Sequence, residues 1–142
     1  MTLLVDAGPL IALLHRDDQH HSWAKEAARS LPISWHTCEA VVVEAYFKLL
    51  RVRHGPEKLA AILAKDELLL LDWHLSDHRK PVLELLSRYR SLPVSVADAC
   101  LIRMAETAVE PMIWTTDSHF HVYRIHRNRK IPLLTPFQAG RK

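Results

Sequence analysis

Apolar and polar residues fall into blocks along this chain, and the block lengths switch between those of strands and those of helices. Leu3-Leu4-Val5 is a short apolar run that ends in Asp6 and is followed by Gly8-Pro9. That order predicts a buried strand, a sharp turn and a short helix over 9–15, with Pro9 suited to the first helical position. A polar loop, Arg16-Asp17-Asp18-Gln19-His20-His21, comes next. Trp23, Ala24, Ala27, Ala28 and Leu31 then repeat at helical spacing, so a second helix covers 22–31 and Pro32 closes it. Residues 33–37 read as a second strand, and Thr37 as the N-cap of a helix through Val41, Val42, Val43, Ala45, Phe47 and Leu50. Gly55-Pro56 opens a further helix over 56–65. The block at 68–73 is read as a strand on length and context, since Leu has no special strand preference.

The second half repeats the alternation. A helix is predicted over 76–90, with Val82, Leu85, Leu86 and Tyr89 on one face, and Pro93 breaks the chain. Another helix covers 95–108, a strand 112–116, and a last strand 131–135, where Pro132 cannot donate to a ladder and so marks an edge. Strands that alternate with helices throughout predict an α/β fold: one doubly wound, three-layer α/β/α domain over 1–142 with a mainly parallel central sheet.

Composition adds limits. The chain has 142 residues, 49% apolar and 25% charged, with a net charge of +3 and ten histidines. That mild basic excess fits a nucleic-acid partner without requiring one. Cys38 and Cys100 stand far apart with no Cys-x-x-Cys pattern, and are expected to be reduced thiols that pack as small apolar groups. No basic leader precedes the first strand, and no apolar run approaches the roughly 20 residues that span a bilayer. A soluble, cytoplasmic protein with no membrane partner is expected.

Four acids carry the candidate chemistry. Asp6 and Asp117 each follow an apolar strand, at the edge of a parallel sheet where ligands bind. Asp98 opens a helix, and Glu44 lies within one among largely apolar neighbours. Each has a plainer reading: a turn residue for Asp6 and Asp117, a capping box with Ser95 for Asp98, a surface pair with Lys48 for Glu44. Clustered carboxylates repel unless something positive sits among them. Their oxygens are hard donors suited to Mg²⁺ or Mn²⁺, ions that activate water and stabilise a phosphodiester under attack.

These residues are similar in order and context to the PIN-domain family. The likeness is carried by Val5-Asp6-Ala7-Gly8-Pro9-Leu10, by Glu44 after Thr37, by Ser95-Val96-Ala97-Asp98-Ala99 and by Thr115-Thr116-Asp117-Ser118-His119-Phe120. Size makes the chain look most like VapC-type toxins, and the loop from Arg16 to His21 resembles one that many relatives carry. The resemblance implies a Mg²⁺- or Mn²⁺-dependent endoribonuclease, the toxin of a type II toxin–antitoxin pair, usually dimeric and silenced by a cognate antitoxin. It implies Asp6, Asp98 and Asp117 as direct ligands and Glu44 as a ligand through water. Thr116 and Ser118 match small hydroxyl positions, whereas Gly8 stands where some relatives have Ser or Thr. In-line attack of water on phosphorus would leave 5′-phosphate and 3′-hydroxyl ends. Arg124, Arg127, Arg129 and Lys130, with Arg51 and Arg53, are candidates to hold the RNA backbone, with solvated surface as the plainer reading. The alternative function is a catalytically inactive PIN-like module that binds RNA or protein.

Other readings fit less well. A haloacid-dehalogenase-like phosphatase wants a second Asp where Gly8 stands, and a receiver domain wants a Lys before Pro136. His119, His121 and His126 lack zinc-site spacing partners. The four tryptophans read as core.

Overall fold

The computed structural model describes residues 1–137; the last five residues of the predicted domain, 138–142, lie outside the described residues. Five parallel strands form the main sheet: β1 (Thr2–Val5), β2 (Trp35–His36), β3 (Leu69–Leu70), β4 (Pro111–Trp114) and β7 (Leu133–Leu134), in the order β3-β2-β1-β4-β7. Among the described residues six helices flank it: α1 (Ala7–Leu14), α2 (His21–Ser30), α3 (Glu39–Leu49), α4 (Gly55–Leu63), α5 (Arg79–Arg88) and α6 (Val96–Thr107). This is the predicted α/β/α architecture. The central strand explains the opening motif: Leu3, Leu4 and Val5 are all buried, as expected where helices cover both faces of a parallel sheet. Trp114 is fully buried on β4, with Trp23 and Trp35 packed near its ring, so these three tryptophans serve the core. Cys38 and Cys100 are buried free thiols.

Several boundaries differ from expectation. The helix predicted over 9–15 starts at Ala7, because Asp6 caps it, and Pro9 takes its third position. Thr37 does not cap α3; Cys38 precedes it, and the Thr37 hydroxyl donates 2.7 Å to the Val5 carbonyl where β1 ends. The strands predicted at 33–37 and 68–73 pair over only two residues each, and Ile33 lies exposed beyond the ladder. The helix predicted from 76 starts at Arg79, behind a 3₁₀ turn over Leu75–Asp77. The basic stretch 124–130 folds as a small antiparallel hairpin, β5 (Arg124–Ile125) and β6 (Arg129–Lys130), closed by His126 and Arg127 at positive φ.

Gly8 is required by space. A Cβ on it would collide with the Thr116 hydroxyl, which occupies the room that a larger residue at position 8 would need. Gly8→Ser should lower stability by about 1–3 kcal/mol, the usual cost of overpacking. Adding Thr116→Gly should recover most of that loss in urea titrations; no recovery would show that the crowding lies elsewhere.

Candidate metal centre

The carboxyl edge of β1 and β4 supplies the centre of the site. Asp6 is 5% exposed. Its Oδ1 accepts from the Ala7 N–H at 2.8 Å, and its Oδ2 accepts from the Thr115 hydroxyl at 2.7 Å. The Asp6 N–H donates to the Trp114 carbonyl, extending the β1–β4 ladder one residue further and fixing the backbone beneath the carboxylate. The Thr115 oxygen also accepts from the Asp117 N–H at 2.9 Å, so one hydroxyl ties two of the acids together.

Asp98 is the third residue of α6 and forms the capping box that its spacing from Ser95 predicts. It is 6% exposed, and its Oδ2 accepts from both the Ser95 N–H and the buried Tyr123 hydroxyl, each at 3.3 Å. Asp117 caps a 3₁₀ turn over Ser118–His121, and its Oδ1 accepts from the His119 N–H at 2.9 Å and lies 2.8 Å from His119 Nδ1. Glu44 lies on α3 with a third of its side chain exposed, 3.6 Å from Lys48 Nζ. The plainer readings of Asp98 and Glu44 therefore hold.

Electrostatics shows how the acids meet. Burial pushes the Asp6 carboxyl up to about 7; the negative charges of Asp98 and Glu44 add to this, while the hydrogen bonds from Thr115 and Ala7 oppose it. Asp98 is raised chiefly by burial, then by the charges of Asp117 and Glu44, against the Ser95 hydrogen bonds. Burial likewise raises the Tyr123 hydroxyl, with Asp98 and Asp117 adding, so this side chain stays a neutral donor. Asp98 thus feels all three other acids, at one edge of the sheet.

Among the described residues, no three His, Cys, Asp or Glu side chains form a ready metal cage. The donor set still fits a hard divalent ion. Mg²⁺ keeps several waters and is usually bound by one or two carboxylates plus substrate phosphate.

The family model for the PIN domain matches residues 3–125. The chain belongs to the PIN-domain family. That match spans all four acids of this PIN domain. Solved structures with the same fold include VapC20 of Mycobacterium tuberculosis, described as a sarcin-ricin loop cleaving toxin. The TM-score is 0.70 at 23% identity, covering 82% of this chain and 90% of that one. No curated protein matches this chain in sequence.

The remaining predicted residues separate. Thr116 lies against Gly8, and Ser118 is exposed at the start of its turn. Arg124 uses its Nη1 to donate to the carbonyls of His121, Val122 and Tyr123, which closes that turn. Arg127, Arg129 and Lys130 are exposed on the hairpin. Two contacts of the PIN domain's carboxylates escaped the sequence reading. Tyr123 left no signal. Thr115 did, because strand alternation puts it on the same face as Asp117 and sets Thr116 on the other.

Proposed function

We propose that this PIN domain is a divalent-metal-dependent endoribonuclease acting as the toxin of a type II toxin–antitoxin pair in the cytoplasm. The observation that carries this reading is the mutual field of Asp6, Glu44, Asp98 and Asp117, with the two most buried held above the usual carboxylate range. Asp6, Asp98 and Asp117 would hold Mg²⁺ or Mn²⁺, with Glu44 acting through water. A bound ion supplies the Lewis acidity that phosphodiester hydrolysis needs. The chain's own residues set the geometry: Thr115 orients Asp6, Ser95 and Tyr123 orient Asp98, and His119 orients Asp117. The cut would leave 5′-phosphate and 3′-hydroxyl ends. Because VapC20 is described as a sarcin-ricin loop cleaving toxin, an RNA hairpin, which presents a loop, is the first substrate to try.

The test is incubation of end-labelled RNA with the protein in Mn²⁺ and in EDTA, followed by analysis of the new ends. Cleavage only with metal, leaving 5′-phosphates, is expected. RNA that is bound but never cut would make this an inactive binding module. EDTA-resistant cleavage with cyclic phosphate ends would point away from the carboxylates.

The partners proposed are RNA, a cognate antitoxin and a second copy of the chain. For the second copy, support comes from α3, where Val43 and Phe47 are 68% and 69% exposed beside Val96 of α6. These residues line an open apolar groove between the two helices. Phe47→Glu is expected to shift the protein from dimer to monomer in light scattering at micromolar concentration. A wild-type monomer would remove this part of the proposal.

A further inference from the structure

The ends of α1 and α3 that lie away from the carboxylates gather a second set of charged side chains. Asp6 caps the start of α1 and Leu14 ends it, eight residues on, so the chain leaves this helix about 12 Å from the acids at 1.5 Å per residue. His15, Arg16 and Asp17 follow there. α3 packs beside α1 and is followed by Arg51, Val52, Arg53 and His54, and Lys58 joins them from α4. These eight residues enclose a concavity of about 590 Å³.

Its charge is lopsided. Arg16, Arg51, Arg53 and Lys58 share the lining with a single carboxylate, Asp17. Among the described residues none of these four cations has an ion-pair partner. Glu57, the nearest acid in sequence to Lys58, stands 3.4 Å from His54 instead. Helix C-termini attract cations, and Lys58 makes that contact, donating to the Leu14 carbonyl at 3.4 Å. The three arginines make no side-chain hydrogen bond among the described residues, so the helix ends do not account for them. Three guanidinium groups with all their donors free, around one opening, suit oxygens that each accept two bonds from one fork.

We propose that this concavity is a phosphate-binding subsite that grips the RNA backbone a helix length away from the cut. The proposal rests on the ribonuclease reading above. The separation of about 12 Å places the grip a few nucleotides at most from the scissile bond. Backbone phosphate fits better than an acidic peptide. Among the described residues Val52 is the only apolar side chain in the lining, and a protein partner would want an apolar anchor there. The contact carries no sequence preference and weakens with salt.

The experiment uses the full chain in EDTA, so that binding is read without cleavage. Fluorescence anisotropy with a labelled RNA hairpin is followed across a range of KCl concentrations. For Arg51→Ala/Arg53→Ala, affinity should fall about tenfold at moderate salt, and the slope of log affinity against log salt should shrink by about 1.4, the value for two phosphates of a single strand. Arg16→Ala, on a different loop, should give about half that change in slope. Lys25→Ala, exposed on α2, should change neither. These arginines are exposed, so thermal melts should superimpose; Arg16→Ala gives an independent reading if the double variant melts early. If the wild type cuts and binds RNA and the arginine variants bind equally well, the subsite is wrong and the ribonuclease reading stands. If the wild type neither binds nor cuts RNA, both fall. If the variants lose poly-glutamate but keep RNA, the site takes an acidic peptide and the proposal is overturned.

Discussion

Asp6→Asn is expected to keep the fold and to lose metal-dependent RNA cleavage by more than about 100-fold. Removing groups that merely orient metal ligands costs about 10–100-fold, and Asp6 is assigned as a ligand itself. Asparagine preserves the local bonding. Its oxygen still accepts from the Ala7 N–H, and its amide donates to Thr115, whose hydroxyl hydrogen is free to rotate away. Only the charge is lost. Initial rates in Mn²⁺, read beside circular dichroism and Mn²⁺ titration calorimetry, check this. Loss of cleavage together with loss of Mn²⁺ binding supports the assignment; a variant cutting at the wild-type rate removes Asp6 from the mechanism. Thr115→Val, which leaves the carboxylate but frees it to turn, should fall in the 10–100-fold range.

Metal-free protein is expected to lose stability as pH rises from about 4 to about 7, and Asp6→Asn should abolish most of that loss. In the unfolded chain the carboxyl releases its proton near 3.8; in the fold it holds it to about 7. Between those values the native state binds more protons than the unfolded state, so unfolding free energy declines with rising pH. A shift of that size corresponds to roughly 4 kcal/mol, at about 1.4 kcal/mol per unit. Asp98 acts in the same direction. Urea titrations in EDTA at pH 4.5 and pH 8 measure the effect, and the difference between wild type and Asp6→Asn isolates it from the histidines. The variant should be the more stable of the two at pH 8 and about equal at pH 4.5. Saturating Mn²⁺ at pH 8 should restore the wild type but not the variant, since an ion that binds only the native state adds stability. A wild type that is more stable than the variant at pH 8 without metal would mean that the acids are not in conflict.

Apolar periodicity carried most of the architecture because the strand and helix patterns were largely unmixed, the block at 68–73 excepted, where length and context decided. Leu3-Leu4-Val5 has the continuous apolar run of a strand covered on both sides, and the stripe through Trp23, Ala27 and Leu31 has the helical period. The boundaries were less legible where a side chain does two things. Thr37 looks like a cap by residue type, but its hydroxyl is taken by the Val5 carbonyl from another strand. Ile33 looks like strand by composition, yet the neighbouring β3 offers it no partner.

By itself the sequence determined the order of strands and helices, and with it the positions of Asp6, Asp98 and Asp117 at strand ends and a helix start. Those follow from periodicity, caps and turn residues, which act within a few positions along the chain. Only the tertiary structure decided which groups surround the carboxylates and how far burial shifts them. Thr115 and Tyr123 reach the acids across more than twenty residues of sequence, Arg124 is drawn into closing a turn, and Arg16 meets Arg51 only because α1 and α3 lie side by side. Desolvation and Coulomb forces depend on distance in space, and a linear pattern carries no measure of that distance.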